Sequence, residues 1–304
     1  MGRGSTTLMC RPSFFIAILL FGFYLNQPLA AQHAEGEQIH IIYTANLNAA
    51  LDDCRCEGRL VGGMTRILPL VEQLRDSLNM PALVDAGDFL SSYSYPDVNR
   101  AMLRLLKRAE YDALNLGDQE FVEGSNFLER WQRAHSRRLP LVSANTELEL
   151  NGDGLVAPYN IVRKGKHIIA VIGLVEEESF EFISSGGMTV TATRDRLHTL
   201  RFLASETDIQ LLLYHGDKNK LPALVREHDW LDAVIVGNNQ QLSEDIENRT
   251  LIVESGTDGE HIGLISATFT RKKWRMANKF FEITRELQTD KKAIRISAPF
   301  YGAQ

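Results

Sequence analysis

Ala82-Leu83-Val84-Asp85-Ala86-Gly87-Asp88 (residues 82–88) reads as a short apolar strand running directly into a polar turn. A helix is expected next, from Asp97 to Glu110. Asp97 stands in capping position, and Val98, Met102, Leu105 and Ala109 repeat at helical spacing. Ala113 to Leu116 then repeats the first pattern, a strand that ends Asn115-Leu116-Gly117-Asp118-Gln119-Glu120. Strand, polar turn, helix, strand is the order of right-handed βαβ crossovers and a mostly parallel, buried sheet. Upstream, Ile39 to Thr44 is a strand ending Thr44-Ala45-Asn46-Leu47-Asn48. Thr65 to Leu78 is helical, with Pro69 either in the first turn or at a kink.

Downstream, Ser125 to Ser136 forms a helix with Phe127, Leu128 and Trp131 on one face, and Leu139 to Ala144 a strand. Asn151-Gly152-Asp153-Gly154 lacks the Asp spacing and closing Glu of a calcium loop and reads as a plain turn. Tyr159 to Arg163 and His167 to Leu174 make a hairpin around Lys164-Gly165-Lys166. A helix over Arg194 to Ser205 precedes strands at Ile209–Tyr214, Ala233–Val236, Leu251–Glu254 and Ile262–Thr270. No linker, repeat or low-complexity tract interrupts the order. The fold class is α/β, in one domain.

With 44% hydrophobic and 24% charged residues, the 304-residue chain is neither disordered, collagen-like nor polytopic. A net charge of −6 and no Lys/Arg block argue against a nucleic-acid partner. Residues 1–31 read as a signal peptide: Arg3 and Arg11, an apolar run from Phe14 to Leu25, then Pro28-Leu29-Ala30-Ala31. Such a run is too short to span a hydrocarbon core of ~30 Å, although an uncleaved anchor is the alternative. Cleavage would move the net charge from −6 to −8. It would leave a mature chain without a transmembrane domain, periplasmic or extracellular. Cys10 would go with the leader, leaving Cys54 and Cys56, too few for a disulfide scaffold.

Ligand sites in open α/β sheets collect at the carboxyl ends of strands. Besides the three polar strand ends above, Tyr214-His215-Gly216-Asp217 and Val236-Gly237-Asn238-Asn239-Gln240 complete a set. Each alone is ordinary turn chemistry. Together they point to one shared site.

The series resembles the calcineurin-like metallophosphoesterase superfamily, and within it the catalytic domain of 5'-nucleotidases. That family reads Asp-x-His, Gly-Asp, Gly-Asn-His-Glu, His, then Gly-His-x-His. Gly62-Gly63-Met64-Thr65-Arg66, Val142-Ser143-Ala144-Asn145, Ala170-Val171-Ile172-Gly173-Leu174 and Ser255 to Gly263 match its other conserved stretches. The resemblance spans residues 38–272, with 273–304 as a C-terminal extension. It implies a four-layer α/β/β/α sandwich and two divalent metals ~3.5–4 Å apart that activate water on a phosphate ester.

The resemblance makes Asp88 the bridging carboxylate and His215 the first of the late histidines. Asp118 takes the place of the Asn, and Glu120 matches. The other positions differ: Asn46 and Asn48 replace Asp-x-His, Asn238 and Gln240 replace His-x-His, and Gln119 replaces the catalytic His. An amide has no proton to exchange near neutral pH, so no catalytic residue is assigned. One half of the metal pair keeps only Asp88. The other keeps Asp88, Asp118 and His215, with Asn238 as a possible fourth ligand, and suits one Mn, Zn or Fe ion. The plain alternative is that Asp88 and Asp118 cap the segments after them and His215 is a satisfied core histidine.

Asp52-Asp53-Cys54-Arg55-Cys56 resembles a subgroup of exported 5'-nucleotidase-like proteins with a Cys or selenocysteine pair before the Gly-Gly. Thiol redox, soft-metal binding and a small structural loop all remain open for it. The sequence thus leads to an exported, degenerate metallophosphoesterase-like protein acting in binding or redox. Its partner would be a small phosphorylated ligand or an envelope protein. The alternative is a residual mononuclear phosphoric ester hydrolase in which Asp52 or Asp53 supplies a missing ligand. The base-binding domain of 5'-nucleotidases follows the catalytic one, and Lys291 to Gln304 reads as a short tail, so nucleotide specificity is not implied.

Overall fold

Ile39, Ile41 and Tyr43 of β1 (Gln38–Thr44) face one apolar cluster and Ile42 the other, and from Ile41 to Thr44 both faces are buried. Burial on both faces is why the strands read as apolar runs and not as alternations. The computed structural model describes residues 1–2, 33–52, 62–124, 126–147, 155–183, 189–190 and 193–301. Met1–His33 and Ala34–Gln304 are separate units, and all that follows concerns the second.

β1 runs parallel to β2 (Ala82–Asp85), β3 (Ala113–Asn115) and β4 (Leu141–Val142) in turn. On its other side β13 (His261–Thr270) and β14 (Lys273–Glu282) add antiparallel strands. A second sheet has the order β11 (Leu242–Glu247), β12 (Thr250–Ser255), β10 (Ala233–Gly237), β9 (Ile209–His215), β7 (His167–Val175), β6 (Tyr159–Lys164). Its four central strands are parallel and its two edges antiparallel. β5 (Thr146–Glu147) and β8 (Thr189–Val190) form a small separate pair.

The inner faces of the two sheets share one core, from Ile41 and Val84 to Leu211 and Ile235. On the outer face of the first sheet lie α1 (Met64–Ser77), α2 (Pro96–Ala109), α3 (Asn126–Ala134) and α7 (Lys291–Tyr301). α4 (Thr193–Thr199), α5 (Leu203–Glu206) and α6 (Leu221–Glu227) cover the second. The α/β/β/α sandwich is therefore present, with two mixed sheets in place of a single mostly parallel one.

Several elements differ from expectation for identifiable reasons. Asp97 is not the cap of α2: Pro96 takes the first helical position, and Asp97 pairs with Arg100 one turn on. Pro69 sits beyond the first turn of α1, where its missing N–H would leave the Thr65 carbonyl free; that carbonyl accepts the Asp290 N–H at 2.7 Å. Asp290 also caps α7 through the Ala293 N–H and pairs with Arg108 of α2. Residues 273–301 accordingly supply a sheet edge and a docked helix, where Lys291 onward reads as a short tail in the sequence. β4 stops at Val142 because the next N–H groups turn away, Ala144 donating to Gly173 of the second sheet. The helix expected over 194–205 is broken. Leu197, Leu200 and Leu203 are all buried at a spacing of three, and the bonds across the break run from residue i to i−3. The turn at 151–154 and residue Ser125 lie outside the described residues.

At the amino edge of β10, the Asp232 carboxylate accepts the Gln210 N–H at 2.9 Å, and burial pushes its pKa up to about 6. A folded-state pKa above the unfolded one means stability present at low pH and lost as pH rises from about 4 through about 6. Asp232→Asn keeps the acceptor and removes the charge. Urea unfolding of this variant should match the wild type at pH 4 and exceed it by about 1–2 kcal/mol at pH 7.5. Equal pH dependence in the two proteins would refute the assignment.

Candidate metal centre

The carboxyl ends of β1, β2, β3, β9 and β10 meet on one rim, and each turns there through a tight polar loop. Asn46, Asn48, Asp88, Asn238 and Gln240 all have positive φ, between 48° and 80°. Asn and Asp tolerate this left-handed conformation better than other residues with a Cβ, so part of their occurrence here is backbone chemistry.

Three expected ligands converge. His215 ends β9 fully buried, with Nε2 at 3.2 Å from Asp118 Oδ1 and 3.4 Å from Asp88 Oδ1. One donor atom from each of the three residues lies within 4.8 Å of the others. Burial opposes the charged imidazole, yet the Asp88 charge and the Asp118 hydrogen bond outweigh it and push the pKa up to about 9. Burial raises the pKa of Asp88; His215 pulls it down and Asp118 pushes it further up. Two carboxylates thus hold a proton on the imidazole between them, and a divalent ion entering among them would displace it. The donor set of two hard oxygens and one nitrogen fits such an ion. The rim leaves no spare room for the ring: a Cβ on Gly117 would sit 2.3 Å from Asp88 Oδ1 and 2.7 Å from His215 Cε1.

Asp88 divides its two oxygens. Oδ1 faces His215 and accepts the Gln119 N–H at 3.3 Å, while Oδ2 accepts the Gln119 amide Nε2 at 2.9 Å. The Gln119 amide thus satisfies the second oxygen of Asp88. Behind this pair lies Glu120. Its carboxylate accepts four backbone N–H groups: Gly117 (2.6 Å) and Asp88 (3.1 Å) on one oxygen, Phe89 (2.9 Å) and Leu90 (3.1 Å) on the other. It locks the two ligand-bearing loops together.

The remaining amides are spent on the scaffold. Asn46 donates to the Gly256 carbonyl and accepts the Asn238 N–H, at 3.0 and 2.7 Å. Asn48 donates to Thr257 and Asp258, both at 2.8 Å. Asn238 thus enters through its main chain, and Gln240 is exposed. Asp52 accepts from Thr65 and Arg66 at the start of α1. Cys54, Cys56 and Asp53 lie outside the described residues. The polar loop 255–259 is where sequence reading missed partners; its Gly-Thr-Asp composition signals a turn without saying whose side chains it receives.

The comparisons agree with this geometry. Over 155 residues the chain is 28% identical to the snake venom 5'-nucleotidase of Naja atra, covering 47% of this chain and 29% of that protein. It is 26% identical over 163 residues to the human 5'-nucleotidase, covering 49% and 28%. The chain therefore spans under a third of the length of either relative. The structure of a 5'-nucleotidase precursor from Thermus thermophilus superposes with a TM-score of 0.76 at 21% identity, over 87% of this chain and 59% of that one. Over about half its length the chain is thus similar in sequence to 5'-nucleotidases, and it shares the fold of their solved structures. No protein-family model matches the chain. Within this fold Asp88, Asp118 and His215 stand together at the strand-end rim. No helix among the described residues is long and apolar enough to cross a membrane.

Proposed function

We propose that the domain is an exported metallophosphoesterase-type protein that binds one divalent ion through Asp88, Asp118 and His215, without two-metal turnover, and takes a small phosphorylated ligand there. The reading is carried by Asp88: one oxygen faces Asp118 and His215 while Gln119 occupies the other. When bound, the ion would supply a Lewis-acid contact for a phosphate oxygen. His215 and the two carboxylates would fix it, and Glu120 would hold the loops that carry them. Gln119 can orient Asp88 but has no proton to give a leaving group. Export rests on residues 1–31, which lie outside the described residues apart from Met1 and Gly2.

Metal content and turnover test this together. Full-length protein supplied with manganese, zinc and iron should retain about one equivalent at the rim, absent from His215→Ala. Its kcat/KM on an aryl phosphate should fall at least a thousandfold below the usual enzyme range of about 10⁴–10⁸ M⁻¹s⁻¹. Turnover within that range, abolished by Asp88→Ala, would instead establish the second reading, a phosphate-ester hydrolase. The kinship with 5'-nucleotidases favours that reading.

A further inference from the structure

A second set of donor atoms converges at the opposite end of the second sheet, where α4 and α6 finish. His228 follows α6 and precedes β10, whereas the rim lies beyond the far end of that strand. The five residues of β10 span roughly 16 Å, so the two loci are distinct.

His198 Nε2 of α4 lies 3.2 Å from Glu227 Oε1, and the His228 ring stands 5.0 Å from that of His198. One donor atom from each residue falls within 4.8 Å of the other two. Glu227 and His228 are adjacent at the end of α6, and the His228 N–H is fixed on the Leu224 carbonyl at 2.9 Å. His228 is 1% exposed and Trp230 stands edge-on to it, so this ligand is held by packing. His198 is exposed and can swing to close the last distance. Arg201 beside it is turned to Asp229.

The geometry points to a zinc site built from His198, Glu227 and His228 that staples α4 to α6. Two imidazoles and one carboxylate are a zinc donor set. Bond lengths of about 2.0–2.2 Å in a tetrahedron separate ligands by about 3.3 Å, which the His198–Glu227 pair already matches. The fourth position opens beside exposed His198, where water can complete the shell. The role is structural. The junction between the short helices α4 and α5 runs through i to i−3 bonds over residues 197–205, and a metal link to α6 would hold it against the sheet.

The test is zinc titration of metal-free, full-length protein by calorimetry and elemental analysis, comparing wild type with His198→Ala. His198 is exposed, so its removal spares the core. Whatever the strand-end rim binds, His198→Ala should remove one zinc equivalent, or weaken that equivalent at least tenfold, and should shrink the zinc-induced rise in Tm. His215→Ala should leave this equivalent in place, and Asp118→Asn serves the same purpose if His215→Ala does not fold. Copper(II) should quench Trp230 fluorescence in the wild type and not in His198→Ala. Unchanged zinc stoichiometry and affinity in His198→Ala would overturn the site, as would failure of metal-free protein to bind zinc that survives loss of the rim.

Discussion

Glu120→Ala is expected to destabilise the domain by about 4 kcal/mol, lowering Tm by roughly 8–15 °C. The side chain is fully buried, and both of its oxygens are taken by backbone N–H groups from two loops. Removing it orphans four donors at once. Each would cost about 1–3 kcal/mol alone, and water entering the vacated space recovers part of that. Glu120→Gln separates the contributions. Its oxygen can still accept two of the bonds, but its NH₂ group faces donors, so about 2–3 kcal/mol should be lost. Urea unfolding at neutral pH measures both. A Gln variant as stable as wild type would mean that Glu120 is already protonated in the fold, since Gln is the closest mimic of the neutral acid. An Ala variant within about 1 kcal/mol of wild type would show that the loops do not depend on it at all. Because Gly117 and the Asp88 N–H are among the donors, metal retention should fall with stability in Glu120→Ala.

The contrast between what the sequence announced and what it concealed follows from geometry. Strands buried on both faces, such as Ile39–Thr44 and Ala233–Val236, are written as unbroken apolar runs, and the structure places them within a residue or two of expectation. β14 escaped because it is an edge strand whose Trp274, Met276 and Phe280 alternate with charged and polar residues. α7 escaped because its anchor is Asp290, which answers a carbonyl freed by Pro69 more than 200 residues earlier. No local pattern carries that information.

The site divides in the same way. The polar strand ends pointed to one shared rim, and the resemblance picked out Asp88, Asp118 and His215, whose donor atoms converge there although β9 belongs to the other sheet. The partners of the amides were not legible, because spacing does not say where a side chain turns. Asn46 reaches Gly256 and Asn238, and Gln119 folds back onto Asp88, through contacts fixed only once both sheets have packed.

Gly263→Ala should cost about 3 kcal/mol, and Tyr43 is the reason. Gly263 lies directly across from Tyr43 in the β1–β13 ladder. The Tyr43 ring lies over that glycine and its hydroxyl donates to Asn278 Oδ1 of β14 at 2.8 Å. A Cβ on Gly263 would stand 1.9 Å from Tyr43 Cζ and 2.4 Å from its oxygen, so the ring must leave. Tyr43 is fully buried in the core between the sheets, and displacing it both overpacks that core and breaks the link from β1 across β13 to β14. Overpacking accounts for about 1–3 kcal/mol and the lost hydrogen bond for about 1. The cost therefore belongs to the pair. In a Tyr43→Ala background, itself destabilised by about 3–5 kcal/mol, adding Gly263→Ala should be neutral or slightly stabilising. A double-mutant cycle should give a coupling of at least about 2 kcal/mol. Equal costs of Gly263→Ala with and without Tyr43 would place the strain in the β13 backbone and not under the ring.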